Sequence, residues 1–315
     1  LKKNKLLPTI IVTYVKDRIK YLKRLSCYYK DYNGEILFVG PKLQTNFEIS
    51  KNISFYNTNE ISLFKKIIST KKYINSELVI WCAEDDFVSK RFLNSATLKL
   101  TNKNIVAVDG YAVRFDEQTL KISHYYYKWH HLRNLFSFGN MRGVSFEERV
   151  SNMGDMFTGL PVHSVCRKKA FYESWSLASH KSLNQIKWLD KIVTLSLLSR
   201  GEIAYLPTLA HLRSNGERLL TKKFHGSTFT KVFSEIYSSK LAIETLIQYI
   251  AKKCSISDKK SQLAVNFYLS NIDRFYLNQK MKEKDKLNVL TRILNKIISK
   301  NKIINNFFDF GFFPT

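Results

Sequence analysis

The run Leu78-Val79-Ile80-Trp81-Cys82-Ala83, broken off by Glu84-Asp85-Asp86, constrains this chain more than any other stretch. An apolar run of strand length without polar alternation reads as a strand covered on both faces, the condition of a strand inside a parallel sheet. In open α/β sheets ligands bind beyond the carboxyl ends of the strands, so three acids at that point stand where substrates are handled. Adjacent carboxylates repel one another, and oxygen-rich clusters suit Mg²⁺ or Mn²⁺; a cation bridging the acids to a diphosphate resolves the repulsion most simply. The competing reading is that Glu84 to Asp86 only open a loop and cap the helix that follows.

The surrounding chain supports a sheet of this kind. Pro8 to Tyr14 is a β-branched strand-type run, and Lys16 to Tyr29 carries Ile19, Leu22, Leu25 and Tyr29 at helical spacing. Asn33-Gly34 marks a turn, Glu35 to Gly40 a second strand, Ile53 to Tyr56 a third, and Ser62 starts a helix. After the acids, Lys90 to Leu100 reads as helix and Ile105 to Tyr111 as strand. The stretch around Tyr125 to Gly143 reads as a long aromatic and basic loop, Ser164 to Trp175 and Asp190 to Ser199 as helices, and Ile203 to Leu206 as a strand leading to His211 and Arg213. Alternating strands and helices predict a doubly wound, mostly parallel sheet with helices on both faces. From about Gly226 onward the patterns are helical, which predicts a domain over residues 1–225 and a basic helical region over 226–315.

The net charge of +25 directs attention to polyanions, either nucleic acid or an anionic membrane leaflet. Part of the lysine excess is also what an A+T-rich genome would give, because Asn and Ile are abundant with it. The four cysteines, Cys27, Cys82, Cys166 and Cys254, show no Cys-x-x-Cys spacing, which favours a reducing, cytoplasmic setting without structural zinc. No apolar run approaches the roughly 20 residues needed to span a bilayer. The first residue is Leu1, so the chain reads as one that a longer protein could contain.

Asp190, after Trp188-Leu189 at the start of a helical pattern, could deprotonate an acceptor hydroxyl or could cap that helix. Glu147, Glu148 and Asp155 are fallback bases. His211 and Arg213 pair a borderline metal ligand with a guanidinium suited to phosphate oxygens, and with Asn215-Gly216 and Arg218 they suggest a flexible phosphate-facing loop. Tyr125 to His131 offers aromatic faces for sugar rings or simply folds over the core; the adjacent His130 and His131 diverge too far to share a metal.

The segment Pro8-Thr9-Ile10-Ile11-Val12-Thr13-Tyr14, with Asp17-Arg18, Tyr21-Leu22 and Arg24-Leu25, resembles the opening of bacterial GT-A glycosyltransferases of capsule and surface-polysaccharide gene clusters. Trp81 to Phe87 is similar to their strand-end acidic motif, Pro161 to Arg167 to their acceptor-side segment, and His211-Leu212-Arg213 to their closing motif. The likeness covers about residues 8–220. It implies a Rossmann-like GT-A fold, a nucleotide-sugar donor, and a glycan or lipid-linked glycan acceptor. It also implies that Thr13, Tyr14 and Arg18 line the nucleotide pocket, that Glu84 or Asp85 faces ribose or metal, that Asp86 binds Mn²⁺ or Mg²⁺, and that His211 completes the metal shell. One departure matters: many members carry an acid after the second strand to read the base, whereas this chain has Val39-Gly40-Pro41.

Residues 226–315 hold 15 Lys or Arg against 7 acids. Leu287, Leu290, Leu294, Ile297 and Ile298 share a helix face opposite basic residues, and Phe307 to Phe313 contains five phenylalanines. A basic amphipathic helix of this kind could lie on the inner leaflet, or pack on the catalytic part or on a second copy. Two rival functions remain open. A metal-dependent nucleotidyltransferase would want a glycine-rich phosphate loop, which Thr13 to Arg18 is not. A non-catalytic nucleic-acid or membrane module lacks a zinc-finger or RNA-binding aromatic signature.

Overall fold

The structure is a computed structural model in which residues 7–43, 50–115, 122–125, 141–153, 161–214, 235–236 and 238–284 are described. The strands are β1 (Thr9–Thr13), β2 (Ile36–Gly40), β3 (Ile53–Asn57), β4 (Leu78–Ala83), β5 (Phe87–Val88), β6 (Ile105–Phe115), β7 (Ile122–Tyr125), β8 (Val165–Arg167) and β9 (Glu202–Ser214). They form one sheet in the order β3-β2-β1-β4-β8-β6-β9-β5, with β7 on the side of β6. β1 pairs in parallel with β2 and β4, and β2 with β3. β8 is antiparallel to both β4 and β6, so β6 and its parallel partner β9 return to the direction of the first four strands. Six strands therefore end toward one rim. The expected α/β class, a mostly parallel sheet with helices on both faces, is the architecture observed.

Period-two alternation divides the core. Ile10, Val12, Ile36, Phe38 and Ile80 face one layer, which α1 (Ile19–Tyr28) and α3 (Lys90–Lys99) close with Leu22, Leu25, Phe92 and Leu93. Ile11, Leu37, Val39 and Val79 face the other. That second layer is closed by α2 (Leu63–Ser69), α4 (Phe146–Met153), α5 (Lys168–Ala178) and α6 (Leu189–Leu198). The C-terminal helices α7 (Lys240–Cys254) and α8 (Asp258–Lys284) join it through Leu246, Ile250, Val265, Tyr268 and Leu269. Each fully buried Leu, Ile or Phe contributes about 1.5–3 kcal/mol, so the helical region and the sheet share one cohesive core.

Two expectations change. The helix expected from Ser164 begins at Lys168, because Val165–Arg167 fills the gap between β4 and β6 as a strand. Arg167 fixes that register by donating to the carbonyls of Ile105, Leu100 and Asn102 at 2.9, 2.7 and 3.0 Å. The strand expected at Ile203 to Leu206 runs on to Ser214, so His211 and Arg213 sit inside β9 and not in a flexible loop. The continuation is held by β6, which pairs through Phe115 to Ser214, and by β5, whose Phe87 and Val88 pair with Leu212 and His211. The four cysteines are free. No helix among the described residues is long and apolar enough to cross a membrane. The amphipathic segment around residues 287–298, the phenylalanines of 307–313, the aromatic stretch 126–131, Asp155, Asn215, Gly216 and Arg218 lie outside the described residues.

Candidate active site

The acidic triplet occupies the tight connection from β4 to β5, and the Asp86 amide donates to the Ala83 carbonyl at 3.2 Å. It does not cap α3: Ser89 does, accepting from Phe92 N at 3.3 Å. The acids are instead held by arginines brought from distant parts of the chain. Arg18, from the short 3-10 turn after β1, donates through Nη1 to Glu84 Oε1 at 3.0 Å and through Nη2 to Asp85 Oδ2 at 2.6 Å. Its guanidinium lies over the Tyr21 ring at 4.5 Å. Arg24 donates to the Asp85 carbonyl at 2.8 Å. Asp86 accepts from Arg213 Nε at 3.3 Å and from the Ser214 amide at 2.9 Å, so β9 reaches across to the end of β4.

Burial outweighs these partners in setting the charge. It pushes the Glu84 carboxyl up to about 7 against the pull of Arg18, and the neighbouring Asp85 charge adds to the rise. It pushes Asp86 up to about 6 against Arg213, again with Asp85 adding. At neutral pH the rim therefore carries less than three full negative charges.

Thr13 and Tyr14 stand at the carboxyl end of β1, beside the acids. Thr13 Oγ1 accepts from Trp81 Nε1 at 3.0 Å. Tyr14 is buried, its hydroxyl donates to the Pro41 carbonyl at 2.7 Å, and burial raises it to about 12. A Cβ on Gly40 would fall 2.8 Å from both the Tyr14 ring and its carbonyl oxygen. The glycine in Val39-Gly40-Pro41 is thus required by the close approach of Tyr14, and Tyr14 serves as a wall of the rim with its hydroxyl already engaged.

His211 is a buried, neutral imidazole, its pKa driven down to about 3 by burial and then by Arg213. Its Nε2 is enclosed without a hydrogen-bond partner and stands 4.0 Å from Asp109 Oδ1. His211 and Arg213, two apart on one strand, share a face of the sheet. Asp190 lies in the first turn of α6, whose N-cap is Trp188. Its carboxylate accepts from Lys191 Nζ at 2.6 and 2.7 Å. The structure thus brings Arg18, Glu84 and Asp85 together, and Asp86 with Arg213, while Asp190 is engaged by its own neighbour. Of the fallback bases, Glu148 closes a capping box with Ser145, accepting from Ser145 N at 3.3 Å and also from Val144 N at 2.7 Å, while Ser145 Oγ accepts from Glu148 N at 3.1 Å.

Three further residues meet this site, of which only His163 lies in a segment singled out from the sequence. Lys66 on α2 is buried and donates to the Tyr14 carbonyl at 3.4 Å; burial lowers its pKa while Glu84 and Glu60 oppose that. His163 stacks on Trp81 at 4.6 Å and lies 5.7 Å from the His211 ring, which joins the acceptor-side segment to the site. Asp109 was legible as an acid directly after the apolar run Ile105 to Val108; Lys66, among the apolar residues of a helix, left no such mark.

No protein-family model matches the sequence, and no curated protein does. Two solved structures of S. aureus TarS are similar to this chain. One, of residues 1–349, has a TM-score of 0.45 and 13% identity over 87% of this chain and 91% of that one. The other has a TM-score of 0.43 and 15% identity over 80% of this chain, which spans 44% of its length. At this level of likeness the chemistry has to be read from the chain's own residues.

Those residues bear on a metal as follows. Among the described residues no three His, Cys, Asp or Glu side chains come together as a ligand set. Mg²⁺ and Mn²⁺ also bind through one or two carboxylates with substrate phosphates completing the shell. By donor chemistry the residues that suit that second mode are Asp86, whose two oxygens accept from Arg213 and the Ser214 amide, and His211, whose enclosed Nε2 has no hydrogen-bond partner.

Proposed function

We propose that this chain is a glycosyltransferase that moves a sugar from a nucleotide-sugar donor to a hydroxyl of a bacterial surface glycan or lipid-linked acceptor. The observation that carries it is the cluster of Arg18, Glu84, Asp85, Asp86 and Arg213, with Glu84 and Asp86 buried, where the parallel strands end. A rim with paired guanidiniums and under-ionised acids is built to receive a polar, charged ligand such as a pyrophosphate; a purely structural ion pair would not need five such residues at a strand end.

In this reading Thr13, Tyr14 and Arg18 line the nucleotide side, with Glu84 or Asp85 toward the ribose, and Arg213 contacts phosphate oxygens. Asp86 and His211 would hold a divalent cation, which when bound supplies Lewis-acid stabilisation of the departing diphosphate. Asp190 takes the proton from the acceptor hydroxyl as that oxygen bonds to the sugar's anomeric carbon. The bond from that carbon to the diphosphate oxygen breaks, and its electron pair leaves with the nucleoside diphosphate. The +25 charge and the basic region 226–315 would favour approach to an anionic leaflet carrying lipid-linked acceptors.

Incubation with a panel of nucleotide sugars, with and without Mn²⁺, should release a nucleoside diphosphate from at least one. Asp190→Asn should slow turnover by about 10²–10⁴-fold. The reading fails if no donor binds or turns over and Asp86→Ala changes neither metal nor nucleotide binding. Tight, salt-sensitive RNA binding in the same preparation would favour a nucleic-acid module instead.

A further inference from the structure

The base assigned above stands on a turn that the C-terminal helices hold. Tyr268 of α8 is buried, and its hydroxyl donates to the Lys191 carbonyl at 2.6 Å across 77 positions of sequence. Val265 and Leu269 beside it are buried in the same core, so the hydroxyl is delivered from a fixed helix face. Lys191 is buried too, with only 5% of its side chain exposed. A lysine ordinarily extends its ammonium into water. This one turns back on its neighbour, donating to Asp190 Oδ1 and Oδ2 at 2.6 and 2.7 Å and to the Lys187 carbonyl at 3.4 Å.

Adjacent residues on a helix point about 100° apart, so a contact between them requires the lysine stem to curl around the turn. The ends of that curl are fixed from outside it. Thr194 Oγ1 donates to the Asp190 carbonyl at 2.7 Å, and Lys187 pairs with Glu235, which precedes α7. The Tyr268 hydroxyl fixes the Lys191 backbone from the far side, using the second lone pair of a carbonyl that also serves the helix.

We propose that Tyr268 is a positioning residue: acting through Lys191, it sets where the Asp190 carboxylate stands, so that α7 and α8 belong to the transfer machinery. The proposal rests on Asp190 being the base. Removing the hydroxyl leaves the core packing in place and frees the turn to shift, which separates position from fold. A misplaced base slows the chemical step and leaves donor binding at the β1 and β4 ends alone.

The full chain with Tyr268→Phe, Lys191→Met or Lys191→Arg would be compared with the wild type by amide hydrogen exchange and by nucleoside diphosphate release from a panel of UDP-, GDP- and dTDP-sugars. In Tyr268→Phe, exchange over residues 189–195 should speed up about tenfold while the β4 amides keep their protection. Its kcat should fall about tenfold with donor KM within about twofold, and Lys191→Arg should recover part of what Lys191→Met loses. Unchanged exchange at 189–195 overturns the proposal. So does faster exchange with an unchanged kcat and pH profile, which would make Tyr268 a purely structural contact. If Asp190→Asn turns over at the wild-type rate, or no donor turns over at all, the base assignment fails and takes the positioning role with it, while the exchange result still shows whether Tyr268 held the turn. Circular dichroism melts identify any variant that has not folded, and the exchange comparison then rests on the others.

Discussion

Arg213 and Asp86 stand 127 positions apart in the chain and meet at 3.3 Å, joining the end of β9 to the connection after β4. The pair does two jobs in the structure. It offsets part of the cost of burying Asp86, and it aims a guanidinium at the rim. Replacing Arg213 by Ala leaves a buried carboxylate with the Ser214 amide as its remaining partner in this contact. Because the Arg213 side chain is about a third exposed, solvent screens the loss, and the expected destabilisation is about 1–3 kcal/mol by urea unfolding at pH 7.5. The penalty should shrink as pH falls through about 6, because Asp86 there takes up its proton even with the arginine present, and the variant does so at higher pH still. An unchanged penalty across that range would mean that the arginine contributes through packing alone.

Glu84 gives a pH dependence with a definite sign. Its pKa is about 7 in the folded chain and 4.5 in the reference state, so between these values the folded state holds a proton that the unfolded state has lost. Stability from this group is therefore present below pH 4.5 and declines as pH rises toward 7, by up to about 3 kcal/mol. Glu84→Gln keeps the shape and removes the titration. The difference in unfolding free energy, variant minus wild type, should rise between pH 4.5 and 7 and then level off. A flat difference would show that Arg18 compensates the ionised carboxylate in full.

How much of this was legible beforehand depends on the range of the interactions that decide each feature. β1, β2, β4 and the two-layer alternation follow from local apolar runs, and Ser62 and Ser89 cap their helices as short-range chemistry dictates. The acids at the end of β4 were readable for the same reason. β8 was not, because three residues become a strand only when β4 and β6 already leave a gap for them. The extension of β9 to Ser214 depends on β5 and β6, and the pairing of Arg18 with Glu84 and Asp85 spans 66 and 67 positions, beyond any periodicity.

Gly40 tests the account of the rim's wall. Gly40→Ala places a methyl 2.8 Å from the Tyr14 ring and from the Tyr14 carbonyl oxygen. The ring can move only by giving up its bond to the Pro41 carbonyl, and the backbone there is held by the Tyr14 amide donating to the Val39 carbonyl at 3.0 Å and by Lys66 Nζ donating to the Tyr14 carbonyl. The expected cost is about 1–3 kcal/mol in thermal or urea unfolding, against about 1 kcal/mol for Tyr14→Phe, which loses only the hydroxyl. If the alanine variant is as stable as the wild type, Tyr14 is not packed on this glycine in solution.

Arg18 separates a charge requirement from a geometric one. Its two terminal nitrogens reach different carboxylates, Glu84 at 3.0 Å and Asp85 at 2.6 Å, a fork that a single ammonium cannot reproduce. Arg18→Lys should therefore behave more like Arg18→Ala than like the wild type. Both should weaken binding of UDP or GDP, measured by calorimetry with and without Mn²⁺, by about tenfold or more, since charge-assisted hydrogen bonds are each worth about 1.5–3 kcal/mol. Such a loss has two possible origins: a direct contact with the nucleotide, or release of Glu84 and Asp85 to repel its phosphates. The double variant Arg18→Ala with Glu84→Gln distinguishes them. Recovery of binding in the double variant points to repulsion, and no recovery to direct contact. Wild-type affinity in Arg18→Lys would remove the nucleotide from this corner of the rim altogether.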